Sequence, residues 1–171
     1  MDQLLSWIES GDRRIFQLVN HQMRCPVFNR WMPKITYLGG FTFSMGLLLA
    51  LFFLMEDEDV MFEALNALIV SHMLVQVGKR SCSRRRPYLK EGLVHVVDRP
   101  LKDYSFPSGH SAAVFAWCTA IAFAIPWLAP FLFTLAIFVG ISRMYLGLHY
   151  PLDVLVGAVL GMSCSIAVHF W

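Results

Sequence analysis

The chain has 171 residues, of which 57% are apolar by a broad count and only 15% are charged. Soluble domains carry about 25% charged residues, so this composition argues against an ordinary soluble domain and excludes a disordered chain. The four cysteines are too few for a small disulfide scaffold, and the net charge of +2 is informative only through its distribution along the chain.

The N-terminal segment mixes apolar and charged residues, and no apolar run within residues 1–35 is long enough to span a bilayer. Apolar residues such as Trp7 alternate with charged ones such as Asp12, a pattern typical of an amphipathic helix that lies in the membrane interface. One helix, or two helices broken at Gly11, would fit this pattern. We therefore predict an interfacial segment over residues 1–35 and a transmembrane domain over residues 36–171.

Five later stretches are apolar and close to the length of about 20 residues that a membrane-spanning helix needs. They are residues 36–55, 60–77, 108–125, 130–146 and 152–171. Strands of a membrane barrel would be shorter and would alternate in polarity. A soluble helical bundle is the alternative, but its helices would need charged outer faces. The sequence therefore predicts an all-α integral membrane bundle with five transmembrane helices and an N-terminal amphipathic interfacial helix.

Charged and polar residues of the membrane domain gather in three places. The first is the basic run 79–87 after the second span, the second is the segment 107–110 at the start of the third span, and the third is the segment 142–153 between the last two spans. Antiparallel threading of the spans brings all three to one side of the membrane. The residues that can then converge are Lys79, Arg86, His110, Arg143, His149 and Asp153.

Cations that converge at one point predict a site for a multiply charged anion such as phosphate. Ser108 and Gly109 begin a predicted helix, so their backbone N–H groups would add anion donors. If the last helix begins near His149, Asp153 would orient this imidazole and leave its other nitrogen free to attack phosphorus. His110 can protonate the leaving oxygen. The set predicts covalent phosphoryl transfer through a histidine.

These polar residues also have plainer interpretations. A basic run beside a span is most often a topology signal or a patch for anionic lipids, and we favour this interpretation for Arg80, Arg84 and Arg85. A lone histidine in a span is usually structural, which is how we interpret His72. Asp153 could simply cap the last helix, but the histidine four residues before it favours a functional role.

In these three segments the sequence resembles the type 2 phosphatidic acid phosphatase superfamily. The family signature is K-x6-RP, then PSGH, then SR-x5-H-x3-D. Residues 79–87, 107–110 and 142–153 match every signature position in order. Many bacterial members have six spans, whereas this chain has five predicted spans and an amphipathic segment in place of the first.

The resemblance implies roles for the signature residues. His149 would be the nucleophile that forms a phosphohistidine, Asp153 would orient it, and His110 would be the general acid. Family members work without a metal, so neither a metal nor another cofactor is expected. The residues that would hold the phosphoryl oxygens are Lys79, Arg86, Ser108, Gly109 and Arg143.

A membrane-embedded cationic site suits a phosphate group on a lipid anchor. Undecaprenyl diphosphate is the first candidate, with phosphatidylglycerophosphate and phosphatidic acid as alternatives, because the signature residues contact only the phosphate. Residues that select the substrate are expected within 88–106 and in the N-terminal segment. A non-catalytic lipid-binding or transport protein is a more remote alternative, since no signature residue is missing. No nucleic-acid partner is expected.

Two further predictions concern assembly and orientation. The G-x-x-x-G of Gly157 and Gly161 is expected to pack within the bundle, and the oligomeric state stays open. All fourteen Lys and Arg residues fall on the side of the predicted site, so the positive-inside rule places that site in the cytoplasm. The resemblance implies the reverse, a site on the outer side of the plasma membrane. Because several cations belong to the predicted site or the interface rather than to free loops, we predict an extracytoplasmic site.

Overall fold

The computed structural model describes residues 2–54, 58–92, 94–96 and 102–171. These residues form helices and their connections, and no strand occurs among them. The helices are α1 (Asp2–Gln17), α2 (Pro26–Ile35), α3 (Phe41–Leu54), α4 (Glu58–Cys82), α5 (Pro87–Lys90), α6 (Gly109–Ala124), α7 (Ala129–Tyr145) and α8 (Pro151–His169). The all-α class predicted from the sequence is confirmed.

Three helical segments in the described part of the chain are long and apolar enough to cross a membrane, namely Asp59–Lys90, Pro126–Tyr145 and Pro151–His169. A fourth crossing is possible if the pair Pro26–Gly39 and Phe41–Leu54, bent by 58°, acts as one span. These elements agree with a helical membrane protein, while the number of five spans stays a prediction.

Two predicted spans differ from the structure in more than the position of their end residues. The span predicted over 36–55 begins with a 3-10 turn, Thr36–Gly39, and the α-helix starts only after Gly40, whose extended backbone (φ −81°, ψ 157°) interrupts the helix. The span predicted over 108–125 is the 16-residue α6, which is apolar but short.

The N-terminal helix α1 runs through Gly11 without a break, so the single-helix alternative is the observed one. A methyl group added at Gly11 would meet no atom within 4 Å, so no close contact at this residue interrupts the helix. Trp7 is 75% exposed on this helix, whereas Phe16 is fully buried. One face of α1 thus packs on the bundle. The exposed apolar side chains suit the predicted interfacial location.

Helix α6 is the centre of the bundle, and every residue from Ser111 to Ile121 except Ala113 is buried. Helices α4, α7 and α8 pack around it, and the largest core cluster includes Val114, Trp117 and Val139. Because nearly all sides of α6 meet protein, its sequence is apolar all round instead of amphipathic.

Helix α8 approaches α6 closely through two glycines. A methyl group at Gly157 would overlap the carbonyl oxygen of Ser108, and one at Gly161 would overlap that of Ala112. The prediction that this G-x-x-x-G packs within the bundle is confirmed. The close contact places the start of α6 beside the start of α8, where the N–H of Ser108 donates to the carbonyl of Asp153 at 2.9 Å.

We expect Gly161→Ala to lower the free energy of unfolding by about 1–3 kcal/mol, because the new methyl group overpacks the contact between α6 and α8. The matched control is Gly46→Ala on α3, where an added methyl group meets nothing within 4 Å. The measurement is thermal unfolding in detergent followed by tryptophan fluorescence. Equal midpoints for the two variants would contradict the close-packing interpretation.

Candidate active site

Three cations from three different helix ends meet at one end of the bundle. Lys79 lies in the last turn of α4, Arg86 immediately precedes α5, and Arg143 lies in the last turn of α7. Their exposed fractions are only 8%, 1% and 2%, respectively. Buried cations need anionic or polar partners, so this end of the bundle is built to receive negative charge.

The turn between α4 and α5 aims Arg86 at this cluster. Ser83 takes a positive φ of 40° just after α4 ends, which reverses the chain, and Pro87 opens α5 at its first position. The Arg86 guanidinium then donates to the backbone carbonyls of Leu148 and Asp103, each at 2.9 Å. These bonds fix the orientation of the Arg86 guanidinium.

His149 lies in the connection between α7 and α8, outside the apolar helices. This connection turns at Gly147, which has a φ of +76° and where a side chain would also collide with Val94. Nε2 of His149 is 3.2 Å from Nη1 of Arg86. Since a guanidinium can only donate, Nε2 accepts and the ring proton lies on Nδ1. In this tautomer the lone pair of Nε2 accepts the hydrogen bond from Arg86.

Asp153 is fully buried behind His149, and its Oδ2 lies 3.7 Å from Nδ1 of that ring. The helix begins at Pro151, so the two residues do not share a helical face as the sequence analysis expected. Asp153 also accepts the N–H of Tyr150 at 2.9 Å and thereby caps α8. The capping role and the contact with His149 therefore coexist. The Ser105 hydroxyl donates to the same Oδ2 and lies 3.5 Å from Nδ1 of His149.

The second signature segment lies at the start of α6. His110 packs against the turn before α3, where a methyl group on Gly39 would be 3.1 Å from the His110 Cβ. Ser108 caps α6 through its hydroxyl, which accepts the N–H of Ser111 at 3.4 Å. Because the Ser108 N–H already donates to Asp153, Gly109 and not Ser108 borders the open space.

A cavity of about 610 Å³ joins the cationic end to the apolar helices. Its polar end is formed by Lys79, Arg86, Asp103, Gly109, His110, Arg143 and His149. The remaining wall follows α3 and α4 and includes Phe41, Met45, Leu65, Leu68 and Ile69. Five of the six residues predicted to converge thus border one cavity. The sixth, Asp153, does not border the cavity but contacts His149, which does.

Asp103 lies between the cations of this cavity. Its carboxylate pairs with Lys79, and its Oδ1 is 2.7 Å from Nη2 of Arg86. Burial tends to raise the pKa of Asp103, but the hydrogen bond from Lys79 and the charge of Arg86 outweigh it and lower the pKa to about 2. The carboxylate is therefore ionised at neutral and mildly acidic pH. Asp103 thus pairs with two of the three cations that the sequence analysis assigned to phosphate binding.

Burial lowers the pKa of His149, and the charges of Arg143 and Arg86 lower it further. The imidazole is therefore neutral at pH 7.

Sequence reasoning missed four residues near this site. Arg84, which we interpreted as a topology signal or lipid patch, donates to Asp153 at 2.6 Å. Asp103 and Ser105 fall within the segment 88–106, where only substrate selection was expected. His72, interpreted as structural, borders the cavity and lies 3.2 Å from Gln76. Its spacing of seven residues from Lys79, two helical turns, was the available signal.

Comparison with known protein families matches residues 61–171 to the PAP2 superfamily. Phosphatidylglycerophosphatase B of Bacillus subtilis is 33% identical over an alignment of length 154 that covers 82% of this chain and 73% of that protein. An undecaprenyl-diphosphatase of Sulfolobus acidocaldarius is 31% identical over 98 residues, 57% of this chain. The matched part spans only about half, 48%, of the Sulfolobus protein.

Two solved structures share the fold. LpxE of Aquifex aeolicus superposes with a TM-score of 0.86 at 30% identity, covering 92% of this chain and 94% of that one. A transmembrane PAP2-type phosphatidylglycerolphosphate phosphatase from Bacillus subtilis gives a TM-score of 0.81 at 29% identity, covering 95% and 85%.

We expect Asp103→Asn to tighten the binding of orthovanadate, a phosphate mimic, about three- to tenfold. The neutral side chain no longer competes for Lys79 and Arg86, and a half-exposed ion pair contributes about 1 kcal/mol. Isothermal titration calorimetry in detergent measures the change, with the exposed Glu9→Gln as the charge-matched control. Weaker vanadate binding by Asp103→Asn would show that the carboxylate supports the anion instead of competing with it.

Proposed function

This chain belongs to the PAP2 superfamily, and from that premise we propose that it is a hydrolase that removes phosphate from membrane lipids through a phosphohistidine intermediate. One observation carries the proposal: a single cavity has three buried cations and two histidines at one end and an apolar wall along α3 and α4. That shape accepts a phosphate headgroup while its lipid tail stays among apolar side chains.

The first step is an in-line attack of Nε2 of His149 on the phosphorus of the substrate. The bond from phosphorus to the lipid oxygen breaks, His110 gives its proton to that oxygen, and the lipid product leaves. Lys79, Arg86 and Arg143 stabilise the negative charge of the phosphoryl oxygens. Asp153 stabilises the positive charge that develops on the His149 ring.

The second step releases phosphate. His110, now neutral, accepts a proton from water as the water oxygen attacks phosphohistidine, and the bond between phosphorus and Nε2 breaks. The balance is one water consumed and one inorganic phosphate formed for each lipid. In this scheme Arg86 moves its hydrogen bond from Nε2 of His149 to the phosphoryl group.

We favour undecaprenyl diphosphate as the substrate. Apolar side chains of α3 and α4 in the cavity wall suit a polyprenyl chain, and one relative is named as an undecaprenyl-diphosphatase. Phosphatidylglycerophosphate is the second candidate, because the Bacillus relative named for it aligns over more of this chain, 82% against 57%.

We also propose that the site faces outward across the plasma membrane. The positive-inside rule counts cations that are free in loops. Here Lys79 and Arg86 are held by Asp103, and Arg84 is held by Asp12 and Asp153. These cations are part of the folded site, which weakens the charge argument for an inward orientation.

The purified protein should release phosphate from undecaprenyl diphosphate, and His149→Ala should reduce this release below detection because the nucleophile is lost. Asp153→Asn should leave a remnant, since the imidazole keeps its nucleophilic nitrogen. A malachite green assay of released phosphate in detergent measures both. The same assay with phosphatidylglycerophosphate and phosphatidic acid ranks the three lipids by kcat/KM.

The controls for this assay test the chemistry as well as the residue. Activity should persist in EDTA and should be inhibited by orthovanadate, which mimics the transferred phosphoryl group. Near-normal turnover by His149→Ala would contradict the histidine mechanism. Activity that is lost in EDTA and restored by Mg²⁺ would replace it with a metal-assisted one.

Cys82 allows a test of orientation, because it lies between Lys79 and Arg86 in the chain and is exposed. We expect a membrane-impermeant maleimide to label Cys82 in intact cells when the other three cysteines are replaced. A variant without cysteines gives the background, and labelling after the cells are opened gives the maximum. Labelling that requires opened cells would place the site in the cytoplasm and would favour a lipid phosphate made on that face.

A further inference from the structure

Arg84 contacts Asp153 but does not belong to the described residues that border the cavity. Its Nη1 donates to Oδ1 of Asp153 at 2.6 Å, and its guanidinium lies 4.2 Å from the ring centre of Tyr150. The side chain is 25% exposed, so this is a partly buried ion pair and not a free surface charge. Because Arg84 is outside the cavity, it is not placed to hold the phosphate.

Asp12 reaches the same guanidinium from the N-terminal helix α1. One of its carboxylate oxygens accepts from Nη2 of Arg84, and the other accepts the N–H of Leu152 at 2.8 Å. Asp12 is only 7% exposed, although α1 carries most of its charged side chains on the outside. Burying a carboxylate without partners costs free energy, so these two contacts account for the burial of Asp12.

The next turn of α1 strengthens the same attachment. Phe16, four residues after Asp12, is fully buried, and its ring centre lies 5.4 Å from that of Tyr150. Asp12 and Phe16 therefore lie on the same face of α1. Through this face the helix contacts Arg84, the first turn of α8 and the connection that carries His149.

Each oxygen of Asp153 has a distinct set of partners. Oδ1 is held by Arg84, while Oδ2 accepts from Ser105 and from the N–H of Tyr150 and faces His149. Fixing Oδ1 sets the rotation of the carboxylate and thus the direction of Oδ2. The negative charge of Asp12 also offsets the positive charge of Arg84. The negative charge of Asp153 is therefore less neutralised by Arg84 and can stabilise the developing imidazolium.

We propose that Asp12 and Arg84 are a positioning pair that holds Asp153 against His149, which makes the amphipathic N-terminal helix a part of the active site. This inference rests on the proposed phosphatase function. The pair acts through Asp153 and touches no reacting atom. Attachment of α1 to the bundle is then a condition for fast turnover and not only for folding.

The test compares Asp12→Asn, Arg84→Gln and the double variant in the phosphate-release assay. Losing a hydrogen bond to a charged group corresponds to about a 10- to 100-fold lower kcat. The KM and the inhibition constant of orthovanadate should stay within about twofold of the original, since the cavity is unchanged. The double variant should be no slower than Arg84→Gln alone, because the two residues act as one unit.

Matched controls separate this effect from a general loss of charge. Glu9→Gln removes an exposed carboxylate one turn earlier on α1, and Arg85→Gln removes the exposed neighbour of Arg84. Both should keep the original kcat. Arg84→Lys should be faster than Arg84→Gln, because an ammonium retains one charged donor for Asp153.

Each remaining outcome overturns one specific statement. If Asp12→Asn turned over as fast as Glu9→Gln, or if its loss fell on KM, the positioning pair would be wrong. If Asp12→Asn failed to fold, Arg84→Lys and Arg84→Gln would decide, and equal kcat values for these two would overturn the proposal. Absence of phosphatase activity in the unmodified protein would instead overturn the proposed function.

Discussion

Burial of positive charge at one end of an apolar bundle is the constraint on which the rest of the structure depends. Lys79, Arg86 and Arg143 are nearly inaccessible, and burying cations in a low-dielectric interior is strongly unfavourable without partners. The protein supplies these partners within the site. Backbone carbonyls accept from Arg86, the Thr36 hydroxyl lies 2.7 Å from Arg143, and the Asp103 carboxylate pairs with Lys79 and Arg86.

The central helix positions this charge cluster. Because α6 is surrounded by α4, α7 and α8, the three helix ends that bring the cations and the histidines are set relative to one another by one apolar core. Gly157 and Gly161 allow α8 to lie directly against α6, which brings Asp153 beside the start of that helix. The chemistry of the site is thus fixed by packing that lies deeper in the bundle.

The sequence was sufficient to predict the helical membrane class and the meeting of the three signature segments. The length of an apolar run is a local property, and the alternating direction of successive spans follows from the order of those runs. It was not sufficient for contacts between residues distant in the chain. Asp12 and Arg84 are 72 residues apart, and nothing in either local pattern distinguishes them from surface charges. The start of α8 at Pro151 and the interruption at Gly40 depend on caps and backbone angles that hydropathy does not register.

The double duty of Asp153 has a consequence for how this protein can change over evolutionary time. The residue accepts the N–H of Tyr150 at the start of α8, and in the proposed mechanism it also keeps a negative charge beside His149. Asparagine meets the first requirement but not the second. Glutamate, a usual residue at this position of a capping box, would still accept the N–H of Tyr150, but its longer side chain would shift the charge relative to His149. Under the proposed mechanism, a replacement at this position has to meet two unrelated demands at once, the capping of α8 and the placement of a negative charge beside His149.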